Sequence, residues 1–264
     1  MTTRDAWDPG QYDRFAAERR QPFVDLLALC RPVPGGTIVD LGCGPGGLTV
    51  ELHRALGAAH TTGIDLSAAM LAEARGRYAD VEGVSFEEGD IGAWSGPAVD
   101  LVAASASLHW VPNHRELLAR LRRGIRPGGQ LAFQVPANFS HVSHTLAKVV
   151  AAEEPFASAL GDDRPTDRGD EVLAPEAYAE ILYALGASGQ VCRLQVYGHV
   201  LDSSADVVQW VLGTLLTPYR SRLDEATFAR FVDRYRELLL DAVGDQRPYF
   251  YPFRRILCWA RFDS

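Results

Sequence analysis

The sequence predicts an α/β protein with a doubly wound, mostly parallel sheet of seven strands and a helical cap. Three observations carry that prediction. Between residues 37 and 135, short apolar runs alternate with amphipathic stretches, the rhythm of right-handed βαβ units around a parallel sheet. The first run, Thr37-Ile38-Val39-Asp40-Leu41, turns through Gly42-Cys43-Gly44-Pro45-Gly46-Gly47 into a helical pattern, which reads as buried strand, tight loop and helix N-terminus. Finally, each of the first three strands closes on an acid: Asp40, Asp65 and Asp90.

Composition sets the bounds. The chain has 264 residues and is 47% hydrophobic, enough for one sizeable core or a core plus a cap. A net charge of -8 without any lysine- or arginine-rich run argues against nucleic-acid binding. The N-terminus is polar, and no span approaches twenty apolar residues, so neither a signal peptide nor a membrane segment is expected. Cys30, Cys43, Cys192 and Cys258 are scattered without metal-ligand spacing and read as reduced, mostly buried thiols of a cytoplasmic protein. No metal is expected.

Taken in order, the chain offers first a helix opening near Pro9, with Asp8 as a possible cap and Tyr12, Phe15 and Arg19 on one face. A second helix is predicted from Pro22 to Cys30. Strand 1 and the glycine loop follow, then a helix over 48–56. Strand 2 covers 60–65, and Ser67 can cap a helix over 68–78. Strand 3 covers 84–86 and strand 4 covers 99–104. A helix is predicted over 114–124, a turn at Arg126-Pro127-Gly128-Gly129, and strand 5 over 130–135. The rhythm then changes. Helices are predicted over 141–160, 175–185, 205–216 and 225–243, with strands over 191–201 and 255–262. A strand, helices and a strand imply an antiparallel closing hairpin with a helical insertion. The domain reading is a single domain over 1–264, with a cofactor-binding core at 30–140 and cap segments at 1–29, 141–187 and 203–250.

Three strand-end acids on successive strands face one crevice, because ligands of open α/β sheets bind beyond the strands' carboxyl ends. An acid after strand 2 can accept both hydroxyls of a ribose, and one after strand 3 can accept an adenine amino group. The glycine spacing alone is ambiguous, since Gly42, Gly44 and Gly47 also satisfy the dinucleotide fingerprint. Asp65 would suit a nicotinamide enzyme equally well. Asp40 and Asp90 discriminate against it.

Asp40 to Gly46, Gly63-Ile64-Asp65, Gly89-Asp90-Ile91 and Arg126 to Gly129 together resemble the landmarks of class I S-adenosylmethionine (SAM)-dependent methyltransferases, a Rossmann-like family. The resemblance implies SAM as cofactor and S-adenosylhomocysteine as product. It implies that Gly42 and Gly44 approach the methionine part, that Asp65 holds the ribose, and that Asp90 with Ile91 reads adenine. Met70 would pack near the adenosine. Tyr12, Arg19, Asp40, Leu66 and Ser105 complete the implied cofactor set. Residues 1–20 would close over the cofactor, with Arg19 pairing with its carboxylate.

A narrower resemblance spans nearly the whole chain. Trp7-Asp8-Pro9, Tyr12, Phe15, Arg19 and Pro22 look like the N-terminus of the trans-aconitate 2-methyltransferases. So do Ala106-Ser107-Leu108-His109-Trp110, Gln134-Val135-Pro136 with Asn138, Trp210 with Gly213, and Pro252-Phe253-Arg254-Arg255. Ser105 and Gln21 depart from that pattern. The resemblance implies a small polycarboxylate as acceptor. His109 and Trp110 would lie beside the transferred methyl, and His109, Tyr219, Tyr249, Arg254 and Arg255 would line the acceptor site. Alternation along a strand lets only one of the two arginines face the pocket. His141 and His144 read as cap surface. The competing readings are a hydroxylated natural product as acceptor, with His109 as general base, and a SAM-binding scaffold without activity. A monomer or weak dimer is expected, with no nucleic-acid or membrane partner.

Overall fold

The computed structural model describes residues 16–165, 169 and 171–264, with side chains described from Arg20 onward. Its strands are β1 (Thr37–Leu41), β2 (His60–Asp65), β3 (Val84–Glu88), β4 (Val99–Ser105), β5 (Ile125–Pro136), β6 (Gly189–Leu201) and β7 (Tyr249–Arg261). They form one sheet in the order β3-β2-β1-β4-β5-β7-β6. β1 to β5 pair in parallel, and β7 runs antiparallel to β5. This is the predicted doubly wound sheet with a reversed closing strand. Ile38, Leu41, Leu101, Val102, Leu131 and Phe133 are all buried, as expected of parallel strands covered on both faces.

The helices are α1 (Ala16–Leu27), α2 (Gly47–Leu56), α3 (Ala68–Arg77), α4 (His114–Arg123), α5 (Val142–Ala152), α6 (Phe156–Leu160), α7 (Pro175–Ala184), α8 (Asp206–Leu212), α9 (Thr217–Arg220) and α10 (Glu225–Val243). Ser67 caps α3 as expected, its hydroxyl accepting the Met70 N–H at 3.3 Å. Asn113 caps α4 in the same way through Glu116.

Several boundaries differ from the sequence reading. No new helix starts at Pro22, because α1 runs straight through it. An interior proline costs about 3 kcal/mol, but burying Phe23 and Leu26 returns roughly 1.5–3 kcal/mol each. The predicted turn at Arg126 to Gly129 is an irregular part of β5. There the pairing with β4 shifts between Val99 and Leu101, and Gly128 N–H is absorbed by the Phe262 carbonyl at 2.6 Å. The predicted helix over 141–160 breaks into α5 and α6 around Pro155, which has no N–H and disfavours helix at the residue before it. The helix predicted over 205–216 stops at Leu212 with Gly213 as its cap. β7 begins at Tyr249 rather than Arg255. Tyr249, Tyr251 and Phe253 are buried while Phe250 is exposed, the period of two that marks a strand.

The chain divides into two compact units. The sheet unit comprises Ala17–Pro136, Arg168–Gln195 and Arg254–Ser264, and the second unit includes Ala137–Asp167 and Val196–Phe253. The sequence reading counted 1–29 and 141–187 with the cap, and this division groups two helices of those segments differently. The α1 segment and α7 both belong to the sheet unit. For α7 the cause is an apolar face of Tyr178, Ile181 and Leu182, all buried, with the Tyr178 ring edge-on to Phe133 of β5 at 5.2 Å. The core of the second unit is largely aromatic: Phe156, Trp210, Tyr219, Phe231, Tyr235, Tyr249, Tyr251 and Phe253 form one cluster with their aliphatic neighbours.

Candidate active site

The carboxyl ends of β1, β2 and β3 lie side by side, with Asp40 opposite Gly63 and Asp65 opposite Glu88. Gly42 and Gly44 make the loop between β1 and α2 possible, at φ +78° and +54°. A Cβ on Gly42 would stand 2.3 Å from the Ser107 Cβ, whereas one on Gly44 would meet nothing within 4 Å. The first glycine is therefore required by a neighbouring strand end, and the second leaves the loop open to close approach.

The loop's amides are already used. Gly42 and Cys43 donate to the Ile64 carbonyl at 2.7 and 3.1 Å, and Gly46 donates to the Cys43 carbonyl at 3.1 Å. Gly44 donates to Asp65 Oδ2 at 2.9 Å. These amides turn inward and fix the loop against β2. A loop whose amides are spent in this way is poorly suited to cradling a phosphate, which weighs against a nicotinamide dinucleotide and leaves an acidic crevice suited to a cationic ligand.

The three acids are not equivalent. Asp65 is half-buried, and its other oxygen accepts the Ser67 N–H at 2.9 Å, so β2's end, the glycine loop and the start of α3 are tied through one carboxylate. Asp90 is exposed and closes a turn by accepting the Gly92 N–H at 2.7 Å. Asp40 is buried and accepts the Thr49 hydroxyl of α2 at 2.6 Å. Burial pushes its carboxyl up to about 6, the Thr49 hydrogen bond opposes that rise, and the neighbouring Asp65 charge adds to it. Leu66, next to Asp65, exposes 63% of its surface, while Met70 and Ile91 are buried nearby in sequence. These residues fit SAM: Asp65 offers paired acceptors for a ribose, Leu66 an apolar face for a base, and the acids a negative field for a sulfonium.

β4 delivers the next set. Ala106 takes a left-handed φ of 56°, a strained conformation for a residue with a Cβ and one that collects at functional sites. Ser107 follows and donates to the Leu41 carbonyl at 2.5 Å. His109 and Trp110 lie half-buried in the helical turn Leu108–Trp110, their rings 4.9 Å apart. A buried relay holds this turn. His114 Nε2 lies 3.1 Å from the Leu108 carbonyl, and His114 Nδ1 lies 2.5 Å from the Tyr178 hydroxyl. The carbonyl can only accept, so His114 carries its proton on Nε2 and accepts from Tyr178. Burial lowers the His114 pKa below 6.5 and keeps the ring neutral.

Of the two tail arginines, Arg255 is buried and Arg254 half-buried. Arg255 Nη1 donates to Gln134 Oε1 at 2.9 Å, and Gln134 Nε2 donates to Ser105 Oγ at 3.0 Å. The chain Arg255–Gln134–Ser105 thus crosses β7, β5 and β4 at one end of the sheet. In the second unit, Tyr219 stacks on Phe231 at 4.9 Å and Tyr249 on Tyr251 at 6.3 Å. Burial raises both phenols above 10. His144 is buried rather than on the surface: its ring packs edge-on against Phe139 at 5.8 Å and tilted against Phe253 at 6.1 Å. Tyr12 and the Arg19 side chain, with the closure expected of residues 1–20, lie outside the described residues.

Sequence reasoning missed Thr49, Ser107 and His114. A hydroxyl nine residues beyond Asp40, in the first turn of α2, was a usable signal for the first. His114 gave none, because its partners Leu108 and Tyr178 are fixed only by the fold. Among the described residues, no group of three or more His, Cys, Asp or Glu could hold a metal ion.

Comparison with known proteins agrees with this geometry. A methyltransferase-domain family model matches residues 38–129. The chain is 44% identical to a trans-aconitate 2-methyltransferase of Deinococcus radiodurans, over 95% of this chain and 96% of that one. It is 39% identical to the enzyme of that name from Streptomyces avermitilis, over 98% of each. The YcgJ protein of Bacillus subtilis superimposes with a TM-score of 0.59 at 11% identity, covering 93% of this chain and 99% of that one. A phosphoethanolamine N-methyltransferase of Haemonchus contortus, solved with S-adenosylhomocysteine, gives 0.54 at 16%, covering 93% and 53%. These two share the fold. With its glycine loop, its strand-end acids and 39% to 44% identity to those relatives over nearly its whole length, the chain belongs to the trans-aconitate 2-methyltransferase family of SAM-dependent methyltransferases.

Proposed function

We propose that this enzyme transfers the methyl group of SAM to a carboxylate of trans-aconitate or a closely related polycarboxylate. The observation that carries the reading is Arg255, a buried guanidinium chained through Gln134 to Ser105 at the ends of β5 and β4. A planar, permanently charged donor set in a fixed place suits a carboxylate, which it can grip with two parallel hydrogen bonds. The names of the relatives support the same acceptor.

Bound SAM would supply an electrophilic methyl group on a sulfonium. The chain's residues do the rest. Asp65 and Asp90 hold the cofactor's polar groups, while Gly42 and Gly44 let it approach the loop backbone. The acceptor carboxylate is already ionised at neutral pH and requires no general base, so the task is alignment in a water-poor site. Arg255 holds a carboxylate, and its Gln134 contact limits where the guanidinium can sit. His109 and Trp110 shape the acceptor's surroundings, and the His114 relay keeps their turn in place. The described cysteines are free thiols, which supports the reducing cytoplasm as the place of action. No helix among the described residues is long and apolar enough to cross a membrane.

The test is steady-state kinetics of Arg255→Ala. A loss of about 1.5–3 kcal/mol in kcat/KM for trans-aconitate is expected, with Arg255→Lys recovering only part because it lacks the fork. Unchanged kinetics with the acid, or a wild type that prefers a neutral phenol, would replace the polycarboxylate by a hydroxylated acceptor.

A further inference from the structure

Cys192 and Cys258 stand on neighbouring strands, and methyl transfer gives neither a task. Cys192 lies on β6 and Cys258 on β7, which are adjacent at one end of the sheet order. Both residues belong to the sheet unit, as does α7. Side chains along a strand alternate between its two faces. Gln190 Nε2 donates to the Ala179 carbonyl of α7 at 3.1 Å, so Cys192, two positions on, is turned to the same face. Cys258 stands opposite Phe133 of β5 and shares that residue's face. The Phe133 ring meets Tyr178 of α7 at 5.2 Å. Both thiols therefore lie on the α7 face, and they are hydrogen-bonded to each other. Neighbouring strands run about 4.8 Å apart, and a disulfide needs Cα atoms about 4.4–6.8 Å apart. Joining the two sulfurs thus takes side-chain rotation rather than movement of the strands.

The two sulfurs are not alike. Cys258 is fully buried and Cys192 half-buried. Burial first, and then the contact with Cys192, pushes the Cys258 thiol well above its ordinary 9.0. The hydrogen bond from Cys258 S–H holds the Cys192 thiol below 9.0, against the burial that would raise it. Burial pushes up both remaining thiols, Cys30 to about 12 and Cys43 as well. The thiolate is the reactive form of cysteine. Of the four thiols, Cys192 is the one that is both reachable and readily ionised, and Cys258 lies against it.

We propose that Cys192 and Cys258 form a peroxide-reactive dithiol, with Cys192 as the attacking sulfur and Cys258 as the resolving one, and that its product is a disulfide joining β6 to β7. The co-reactant is a hydroperoxide, hydrogen peroxide in the simplest case. The Cys192 thiolate attacks one peroxide oxygen and the O–O bond breaks. The departing hydroxide takes up the proton that Cys192 released and leaves as water. The Cys258 sulfur then attacks the sulfenic acid on Cys192. An S–S bond forms, the S–O bond breaks, and the oxygen leaves with the Cys258 proton as a second water. Two thiols are oxidised and one peroxide is reduced. The step uses none of the cofactor or acceptor residues.

The test treats native wild type, Cys192→Ser and Cys258→Ala with hydrogen peroxide and reads intact mass, peptide maps and sulfenic acid trapped by dimedone. Wild type is expected to lose two hydrogens, to yield a peptide pair linked through Cys192 and Cys258, and to return to its starting mass with dithiothreitol. Cys258→Ala is expected to stop at a dimedone adduct on Cys192, and Cys192→Ser to give neither product. The half-buried position of Cys192 keeps its variant informative where loss of the buried Cys258 prevents folding. A wild type that forms no Cys192–Cys258 link, or in which Cys30 or Cys43 is oxidised first, overturns the proposal. A dimedone adduct on Cys258 of Cys192→Ser overturns the division of roles.

Discussion

The carboxyl ends of β1 to β3 and the buried cluster of Ser143, Asn138 and Tyr251 in the second unit make an instructive pair. At the strand ends the backbone does most of the work: the loop's amides bond to the Ile64 and Cys43 carbonyls, and one carboxylate, Asp65, ties three segments together. Around Ser143 side chains do the work, and the partners Ser143–Tyr251 and Asn138–Tyr251 stand 108 and 113 positions apart in the sequence. A site made of backbone should fail when a Cβ is added. A site made of side chains should fail when a single polar atom is removed.

The largest expected effect is at Gly42. Its alanine variant combines a left-handed φ with a Cβ 2.3 Å from that of Ser107, and a loss of about 2–3 kcal/mol is expected in urea unfolding. Gly44→Ala meets open space and should lose only about 1 kcal/mol from its φ, while its affinity for S-adenosylhomocysteine falls. Equal stability losses would break the distinction between a glycine required by a neighbour and one required by a ligand.

Next comes Asp65→Ala, which removes the proposed ribose acceptor and leaves the Gly44 and Ser67 amides without their partner. Calorimetry should show affinity for S-adenosylhomocysteine reduced by about 1–3 kcal/mol. Unchanged affinity would remove Asp65 from the cofactor site.

Two smaller effects follow from pH. The Asp40 carboxyl is raised from 3.8 in the unfolded chain to about 6, so the folded state binds the extra proton between those values. Its contribution is present below 3.8 and lost as pH rises through about 6. Asp40→Asn should flatten that part of the stability curve, and Thr49→Val, which removes the opposing hydrogen bond, should shift it to higher pH. His114 has the opposite sign. Its pKa is lowered from 6.5, so stability is lost as pH falls below 6.5, because the unfolded chain takes up the proton more readily. His114→Gln should abolish that loss. A titration with the same slope in wild type and variants would show that neither group is buried as described.

The same contrast explains what could be read from the sequence. The order of strands and helices, the glycine loop and the three acids were legible because they depend on spacing over a few residues and on period-two or period-3.6 patterns. Asp40's inward turn onto Thr49 was not, since an acid at a strand end looks alike whether it faces ligand or helix. The assignment of α7 to the sheet unit rests on where Tyr178 finds Phe133, a tertiary fact. Arg255 could not be distinguished from Arg254 until the register of β7 with β5 was fixed, with Arg255 opposite Pro136. His141 and His144 looked like surface residues because Ser143 offers no periodic signal and their partner Tyr251 lies in a distant strand.

The central claim is methyl transfer to a carboxylate, and transfer of a labelled methyl group tests it most directly. Enzyme is incubated with methyl-labelled SAM and, in parallel, trans-aconitate or a neutral phenol. The account expects label in a methyl ester of trans-aconitate, released by mild alkali, with little on the phenol and little from Arg255→Ala. Alkali-stable label on the phenol, with none on the acid, would contradict it.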